Sequence, residues 1–237
     1  MLKNLLRSSS PIIVSHRGCS KLENKLAGFV NGVRAGCKLL ECDVRLSKDF
    51  KSVVIHDKTI NRTSNGLGKV RHMNKNELLQ YDIPSFEDLA DWLLHHENIC
   101  LLVEIKDVGD PYNDILISEV VKVVKEKMVT DRCMIISFNK KIIFQAKQML
   151  PEISTGLLYG PLYLNCPFSI CQKYKVDYLL IHHSVVSPLI LQQSKLHQVE
   201  LFVWTVNNMR DMNKLLNFKI TGIITDFPDM AFACLTK

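Results

Sequence analysis

The chain is 237 residues long, 47% hydrophobic and 23% charged, with a net charge of +6. A chain of this length fits one closed α/β barrel and can bury about three quarters of its unfolded surface. No run approaches the ~18 apolar residues that cross a membrane, and the lysines are scattered rather than striped; an integral membrane segment and a nucleic-acid groove are both disfavoured, leaving a general bias toward anionic partners.

Residues 11–15 form the first short apolar run, which ends at His16-Arg17-Gly18. Only ten residues precede that run, too few for a secretory leader. The second run, 39–41, leads through Cys42 into Asp43; the third, 53–55, ends at His56-Asp57; the fourth, 101–103, ends at Glu104-Ile105-Lys106. Short continuous apolar runs fit strands buried on both faces, and polar residues gathered at their C-terminal ends fit the mouth of a closed α/β barrel, where the loops converge.

Beyond the third run the chain alternates in the βα manner. A cap-like Ser85 with an acidic first turn opens a helix over 85–96. Strands are expected over 101–105, 134–137, 155–158, 177–181, 201–205 and 220–225, with helices over 115–127, 140–150, 188–197 and 209–216. The runs make nine strands, and merging the second and third into one hairpin leaves the eight that closure needs. The fold class expected is α/β, a single TIM-type (β/α)8 barrel with a hairpin extension of the second strand, as one domain over 1–237 with its core at about 12–228.

Local geometry already draws two of the clusters together. If 44–50 folds back with Lys48-Asp49 at a two-residue tip, Glu41 faces His56, and strand alternation turns Asp43 to the same face as Glu41. Phe50 is the awkward residue, because a turn there favours glycine for its positive φ. The eight cysteines, at 19, 37, 42, 100, 133, 166, 171 and 234, lack paired C-x-x-C spacing, and several sit in apolar runs as small core residues do. A zinc site or a disulfide framework is not expected, and a reducing, cytoplasmic home is the simpler reading.

Together the four clusters gather His16 and His56, the carboxylates Glu41, Asp43 and Glu104, and the cations Arg17 and Lys106, the set that metal-assisted chemistry on a phosphate diester needs. Further motifs surround them in order: Glu23-Asn24 with Phe29, Lys48-Asp49, Arg62-Thr63, Gly66-Leu67-Gly68 and Ile83-Pro84-Ser85-Phe86-Glu87, then Ser137-Phe138, Trp204-Thr205-Val206-Asn207 and Gly222-Ile223-Ile224-Thr225-Asp226. With the four clusters in place, this series resembles the glycerophosphodiester phosphodiesterase family over roughly residues 12–228. Departures are few. Leu22-Glu23-Asn24-Lys25 stands where the family has Pro-Glu-Asn-Thr, the stretch from Gly18 to Glu23 is short, and 57–83, which often carries an inserted subdomain in relatives, is a loop of modest length. None of these touches a residue expected to do chemistry; they bear on how the substrate's alcohol is enclosed.

Residue roles follow from charge and reach. Glu41, Asp43 and Glu104 are hard oxygen ligands that would repel one another without a cation between them, so Mg²⁺ or Ca²⁺ is the expected cofactor. Arg17 offers a planar fork and Lys106 a point charge to phosphate oxygens. His16 and His56 are the candidate acid and base, while His72, His95, His96, His182, His183 and His197 have no comparable setting. Phe138 and Trp204 end runs near the same mouth and are candidates to line the substrate pocket.

The resemblance implies a metal-dependent phosphoric diester hydrolase that converts a glycerophosphodiester to glycerol 3-phosphate and an alcohol. One histidine would assist attack by the substrate's own glycerol hydroxyl while the other protonates the departing alcohol, and water would then open the cyclic phosphate with the roles exchanged. Two alternatives stand beside it: a lysophospholipase D using the same site with a lipid-sized groove, and a catalytically silent barrel that binds phosphodiesters. The complete polar set weighs against silence, since a binding module has no need of both histidines. The expected partner is a small-molecule glycerophosphodiester or lysophospholipid.

Overall fold

A computed structural model describes residues 1–18, 20–162 and 166–235, so Cys19 lies outside the described residues. Nine strands follow one another: β1 Ile12–Ser15, β2 Leu39–Leu46, β3 Ser52–Val54, β4 Cys100–Ile105, β5 Cys133–Ser137, β6 Ser154–Tyr159, β7 Tyr178–His182, β8 Glu200–Trp204 and β9 Gly222–Thr225. Eight of them form parallel ladders in the spatial order β1, β9, β8, β7, β6, β5, β4, β2, and pairing of β1 with β2 closes the ring. β3 pairs antiparallel with β2 outside that ring. The expected (β/α)8 barrel with an extended second strand is the observed fold.

The strands read as unbroken apolar runs because both of their faces are covered. Alternate residues, among them Val14, Leu39, Leu102, Ile136, Leu158, Phe202 and Ile224, point into the barrel and form one buried cluster. Their neighbours Leu101, Val103, Ile135 and Val203 turn outward and pack with Phe86, Leu89, Leu116 and Val120 of the surrounding helices. Each fully buried aliphatic side chain contributes about 1.5–3 kcal/mol, so the ring is held from inside and outside alike.

The expected helices occupy Phe86–Leu94, Tyr112–Glu126, Lys140–Met149, Pro188–His197 and Met209–Leu216. Ser85 caps the first of them: its hydroxyl accepts from the Asp88 amide, and the Asp88 carboxylate accepts from the Ser85 amide at 2.8 Å. Helix Leu26–Arg34 also covers the ring, as do two the sequence did not mark out, Pro167–Tyr174 and Pro228–Leu235. Each of that pair is only 8 residues long and starts at a proline, too short to display an apolar period. None of the described cysteines forms a disulfide, and among the described residues no helix is long and apolar enough to cross a membrane.

The hairpin forms one residue out of the expected register. Val44, Arg45 and Leu46 pair with Val54, Val53 and Ser52, because the tip holds three residues and not two. Ser47 N–H donates to Lys51 O, Phe50 N–H donates to Ser47 O, and Phe50 takes a left-handed φ of +60°. The expectation that this position would demand positive φ holds, but the extra residue shifts the ladder. Glu41 and His56 are therefore not a cross-strand pair. Beyond Val54 the Ile55 N–H still donates to Asp43 O, and the chain then leaves the sheet, bringing His56 to the mouth on a loop.

On the other side of the mouth, β1 runs into a turn in which Gly18 has φ +80° and the Ser15 hydroxyl donates to the Gly18 carbonyl. A Cβ at Gly18 would lie 2.7 Å from the Phe29 backbone nitrogen, so a bare glycine lets helix Leu26–Arg34 seat against the loop carrying His16 and Arg17. Gly18→Ala should cost about 1–3 kcal/mol through backbone strain and this clash. Denaturant unfolding measures it, and unchanged stability would show that the helix can give way.

Candidate active site

The alternation that fills the barrel with apolar side chains also delivers the polar ones. Each step of two residues up a strand returns to the interior. On β1 the series Ile12, Val14 leads to His16; on β2 Leu39 leads to Glu41 and Asp43; on β4 Cys100, Leu102 leads to Glu104; on β5 Met134, Ile136 leads to Phe138; on β8 Phe202 leads to Trp204. These residues crown the barrel core. A cavity of about 180 Å³ there is walled by His16, Arg17, Glu41, His56, Glu104, Lys106, Phe138 and Trp204. Asp43, fully buried, completes the carboxylate group with Glu41 and Glu104. All nine residues singled out in the sequence thus meet at one end of the barrel.

Register brings the carboxylates together: Asp43 and Glu104 are partners across the β2–β4 ladder. One oxygen from each of Glu41, Asp43 and Glu104 lies within 4.8 Å of the others. Lys106 Nζ is 2.7 Å from Asp43 Oδ1 and 2.6 Å from Glu104 Oε1, and Arg17 Nε is 3.2 Å from Asp43 Oδ2. Asn24, held at φ +59°, clamps Asp43 from both sides: its amide donates to Oδ2 at 2.7 Å and its carbonyl accepts from the Asp43 N–H at 3.0 Å. The Arg17 N–H donates to Glu41 Oε2 at 2.9 Å, whereas Glu41 Oε1 is buried with no hydrogen-bond partner.

The electrostatics follow from this crowding. Burial, reinforced by Asp43, pushes Glu41 up to about 7. Burial also pushes Glu104 up to about 8; Lys106 opposes the rise, and Asp43 and Glu41 add to it. Asp43 feels the same burial, but Lys106, Arg17 and His56 outweigh it and hold its carboxyl well below the usual range. Two of the three carboxyls thus hold a proton more tightly than an ordinary carboxyl does. An orphaned buried oxygen and three converging hard ligands fit a divalent cation such as Mg²⁺ or Ca²⁺.

Each candidate histidine is anchored through Nδ1 by a carboxylate. His16 Nδ1 is 2.6 Å from Asp226 Oδ1, and Asp226 is in turn fixed by the Asn207 amide at 2.5 Å and by its own N–H on Asn207 Oδ1 at 3.0 Å. His56 Nδ1 is 2.8 Å from Asp57 Oδ1. A ring that donates from Nδ1 leaves Nε2 for the cavity. Burial pulls His16 down, yet Asp226 and Glu41 outweigh it and the net shift is upward. For His56 burial dominates over Asp43 and the shift is downward. Across the cavity, Phe138 and Trp204 meet edge to face with centroids 5.4 Å apart, and the Trp204 indole donates to Leu180 O at 2.8 Å.

Sequence reasoning quoted Asn24, Asp57, Asn207 and Asp226 as parts of motifs without giving them work. Asp226 had a usable signal, lying two residues beyond the inward-facing Ile224. Asp57 had adjacency to His56 alone. Of the remaining histidines, His182 at the end of β7 meets the Trp204 ring edge to face with centroids 5.0 Å apart, whereas His95 and His96 bond backbone carbonyls of their own helix, Asp91 O and Trp92 O.

A closed barrel that gathers two histidines and three carboxylates able to hold a cation at the C-terminal ends of its strands has the form of a (β/α)8-barrel enzyme. Residues 16–230 match the family described as Glycerophosphoryl diester phosphodiesterase family, and the chain belongs to that family of phosphoric diester hydrolases. A glycerophosphodiester phosphodiesterase of Caldanaerobacter subterraneus subsp. tengcongensis is 31% identical over 95% of this chain and 98% of its own length. The same fold appears in a phosphodiesterase of Oleispira antarctica solved with the product sn-glycerol-3-phosphate (TM-score 0.88, 23% identity, 98% of this chain and 99% of that one). It also appears in a glycerophosphodiester phosphodiesterase of Parabacteroides distasonis (TM-score 0.85, 22% identity, 96% and 97%).

Without a cation, Glu41 at about 7 and Glu104 at about 8 keep protons in the folded chain that unfolded carboxyls near 4.5 release. The folded state then binds more protons across that window, so stability falls as pH rises from about 5 to 8. Chelator-treated protein should show this fall in Tm, and Mg²⁺ or Ca²⁺, by displacing the protons, should flatten it. The double variant Glu41→Gln, Glu104→Gln should lack the slope; an equal slope in that variant would place the titration elsewhere.

Proposed function

We propose that this protein hydrolyses glycerophosphodiesters to glycerol 3-phosphate and an alcohol, with His16 and His56 moving the protons and Glu41, Asp43 and Glu104 holding a divalent cation. The observation that carries this reading is the opening of both anchored histidines onto the same cavity as the carboxylate set. The product in the Oleispira antarctica structure supports the substrate class. Bound by the three carboxylates, Mg²⁺ or Ca²⁺ supplies charge stabilisation to phosphate oxygens.

Arg17 and Lys106 line the same cavity and receive the anionic phosphoryl group, Arg17 as a fork and Lys106 as a compact charge. One histidine accepts the proton of the attacking glycerol hydroxyl through Nε2 while the other donates to the departing alcohol oxygen. Water then opens the cyclic phosphate with the two roles reversed. Asp226 and Asp57 hold the rings in the orientation and tautomer this exchange needs, as second partners of catalytic histidines do.

A second reading, hydrolysis of lysophospholipids, draws on a groove of about 310 Å³ that adjoins the cavity through Phe138 and Leu158 and continues along Leu157, Tyr159 and Ile170. Its apolar side chains offer an acyl chain a place to lie, with Asp107, Asn139 and Lys140 completing the groove wall.

Chelation should abolish turnover of glycerophosphocholine, and Mg²⁺ or Ca²⁺ should restore it; full turnover in excess chelator would sink the ligand assignment. His16→Ala and His56→Ala should each lower kcat by about 10²-fold or more, with His72→Ala as the control. Equal damage in the control would mean the site is misplaced. Finally, kcat/KM for glycerophosphocholine, glycerophosphoethanolamine and lysophosphatidylcholine should agree within about a hundredfold, because the short 57–83 segment leaves the alcohol side open. No turnover of lysophosphatidylcholine would remove the second reading.

A further inference from the structure

We propose that Arg62 is a positioning residue that fastens His56, and with it the proton-transfer geometry, to the rigid β1 side of the barrel mouth. The proposal rests on the role given to His56 above. His56 differs from the other site residues in how it arrives. His16, the carboxylates, Phe138 and Trp204 stand on or directly after strands of the closed ring, whereas His56 follows β3, three residues long and outside the ring. Past Val54 the main chain is held by Ile55 N–H on Asp43 O at 3.0 Å and by Arg45 Nε on His56 O at 2.6 Å, bonds that fix the backbone and leave the orientation of the His56 ring to its side-chain partners.

Arg62 closes that gap with four hydrogen bonds from one guanidinium. Nε and Nη2 donate to Asp57 Oδ2 and Oδ1 at 2.7 and 3.1 Å, and Nη1 and Nη2 donate to Glu23 Oε2 and Oε1 at 2.7 and 2.6 Å. Asp57 is the carboxylate on His56 Nδ1, and Glu23, on the segment after β1, also accepts from Arg17 Nη1 at 3.2 Å. An unbroken chain thus runs from His56 through Asp57, Arg62 and Glu23 to Arg17. It ties the partner of a proton carrier to the partner of a phosphate-binding side chain.

The loop that carries Arg62 is itself built to be firm. Ile60 N–H donates to Gly68 O and Val70 N–H donates to Lys58 O, each at 3.0 Å, while Ile60 and Val70 bury with Val53, Ile55 and Leu78. Arg62 does not border the catalytic cavity; it lines a separate one of about 630 Å³ with Lys21, Lys25 and Tyr81. Its guanidinium is instead taken up by the two carboxylates. Its planar fork, in contact with two carboxylates at once, is a task a lysine ammonium cannot reproduce.

The test is Arg62→Ala, Arg62→Lys and Asp57→Asn in the full-length protein, read by glycerophosphocholine kinetics and by ¹⁵N NMR of histidine-labelled protein, with His56→Ala used to assign the His56 ring signals. Arg62→Ala should lower kcat by about 10- to 100-fold with KM changed much less, the scale of losing a partner of a catalytic side chain. Its His56 ring should pass from one Nδ1-protonated tautomer to a mixture. Millimolar guanidinium should recover part of the rate, and Arg62→Lys should recover less than guanidinium does. On the Asp57→Asn background, Arg62→Ala should add little. Unchanged kcat in Arg62→Ala, or lost activity with an unchanged His56 tautomer, would overturn the proposal. If His56→Ala keeps full turnover, the catalytic reading of His56 fails by itself, and the NMR signature in Arg62→Ala still decides whether Arg62 fastens the ring.

Discussion

Mutual repulsion among Glu41, Asp43 and Glu104 is the constraint around which this barrel mouth is arranged. Two unit charges about 5 Å apart repel by roughly 3 kcal/mol at an effective dielectric near 20, and three such groups sit above an apolar interior. Arg17 and Lys106 offset part of that cost, and Asn24 gives Asp43 a donor and an acceptor at fixed distances. The compensation is unequal. Asp43, touched by both cations, stays ionised, while Glu41 and Glu104 drift toward the protonated form. On the proposed reading, a cluster in that condition exchanges its protons for the cation as the metal binds.

Barrel alternation explains why such an arrangement is affordable. The carboxylates and cations of the mouth stand in the top layer of interior positions; beneath them Val14, Leu39, Leu102, Ile136, Leu158 and Ile224 fill the core. The strands are locked on both sides by neighbouring ladders, so groups that repel cannot relax by moving apart. His56 is the exception to this rigidity, and it is the residue served by the longest chain of side-chain ion pairs.

The same alternation decides what was legible in the sequence. A short apolar run that closes on a polar or aromatic residue is a local signal, and it located Glu41, Asp43, Glu104, His16 and Trp204 without reference to anything distant. The hairpin register was not legible, since a left-handed Phe50 fits the two-residue tip expected and the three-residue tip that forms alike. Asn24 was hidden for a similar reason: its clamp on Asp43 depends on φ +59° and on a partner 19 positions away. Asp226 and His16 are separated by 210 positions and meet only because β9 and β1 are neighbours in the closed ring. Such pairs are properties of closure, and no window of sequence contains them.

Closure also divides the cavity wall by sector. β1, β2 and β4 are contiguous in the ring and bring His16, Arg17, Glu41, Asp43, Glu104 and Lys106, with His56 delivered from β3 beside them. β5, β6 and β8 form the facing wall through Phe138, Leu158 and Trp204. Charge therefore comes from the first half of the chain, save for Asp226, and apolar shape from the second. On the proposed reaction, a substrate with a phosphate at one end and a variable alcohol at the other would span the two sectors. In that reading the proton carriers His16 and His56 belong to the charged sector, and Phe138, Leu158 and Trp204 meet the alcohol. Those apolar side chains are thus free to differ in size without disturbing the carboxylates, which keeps the chemistry and the choice of alcohol on separate strands of one ring.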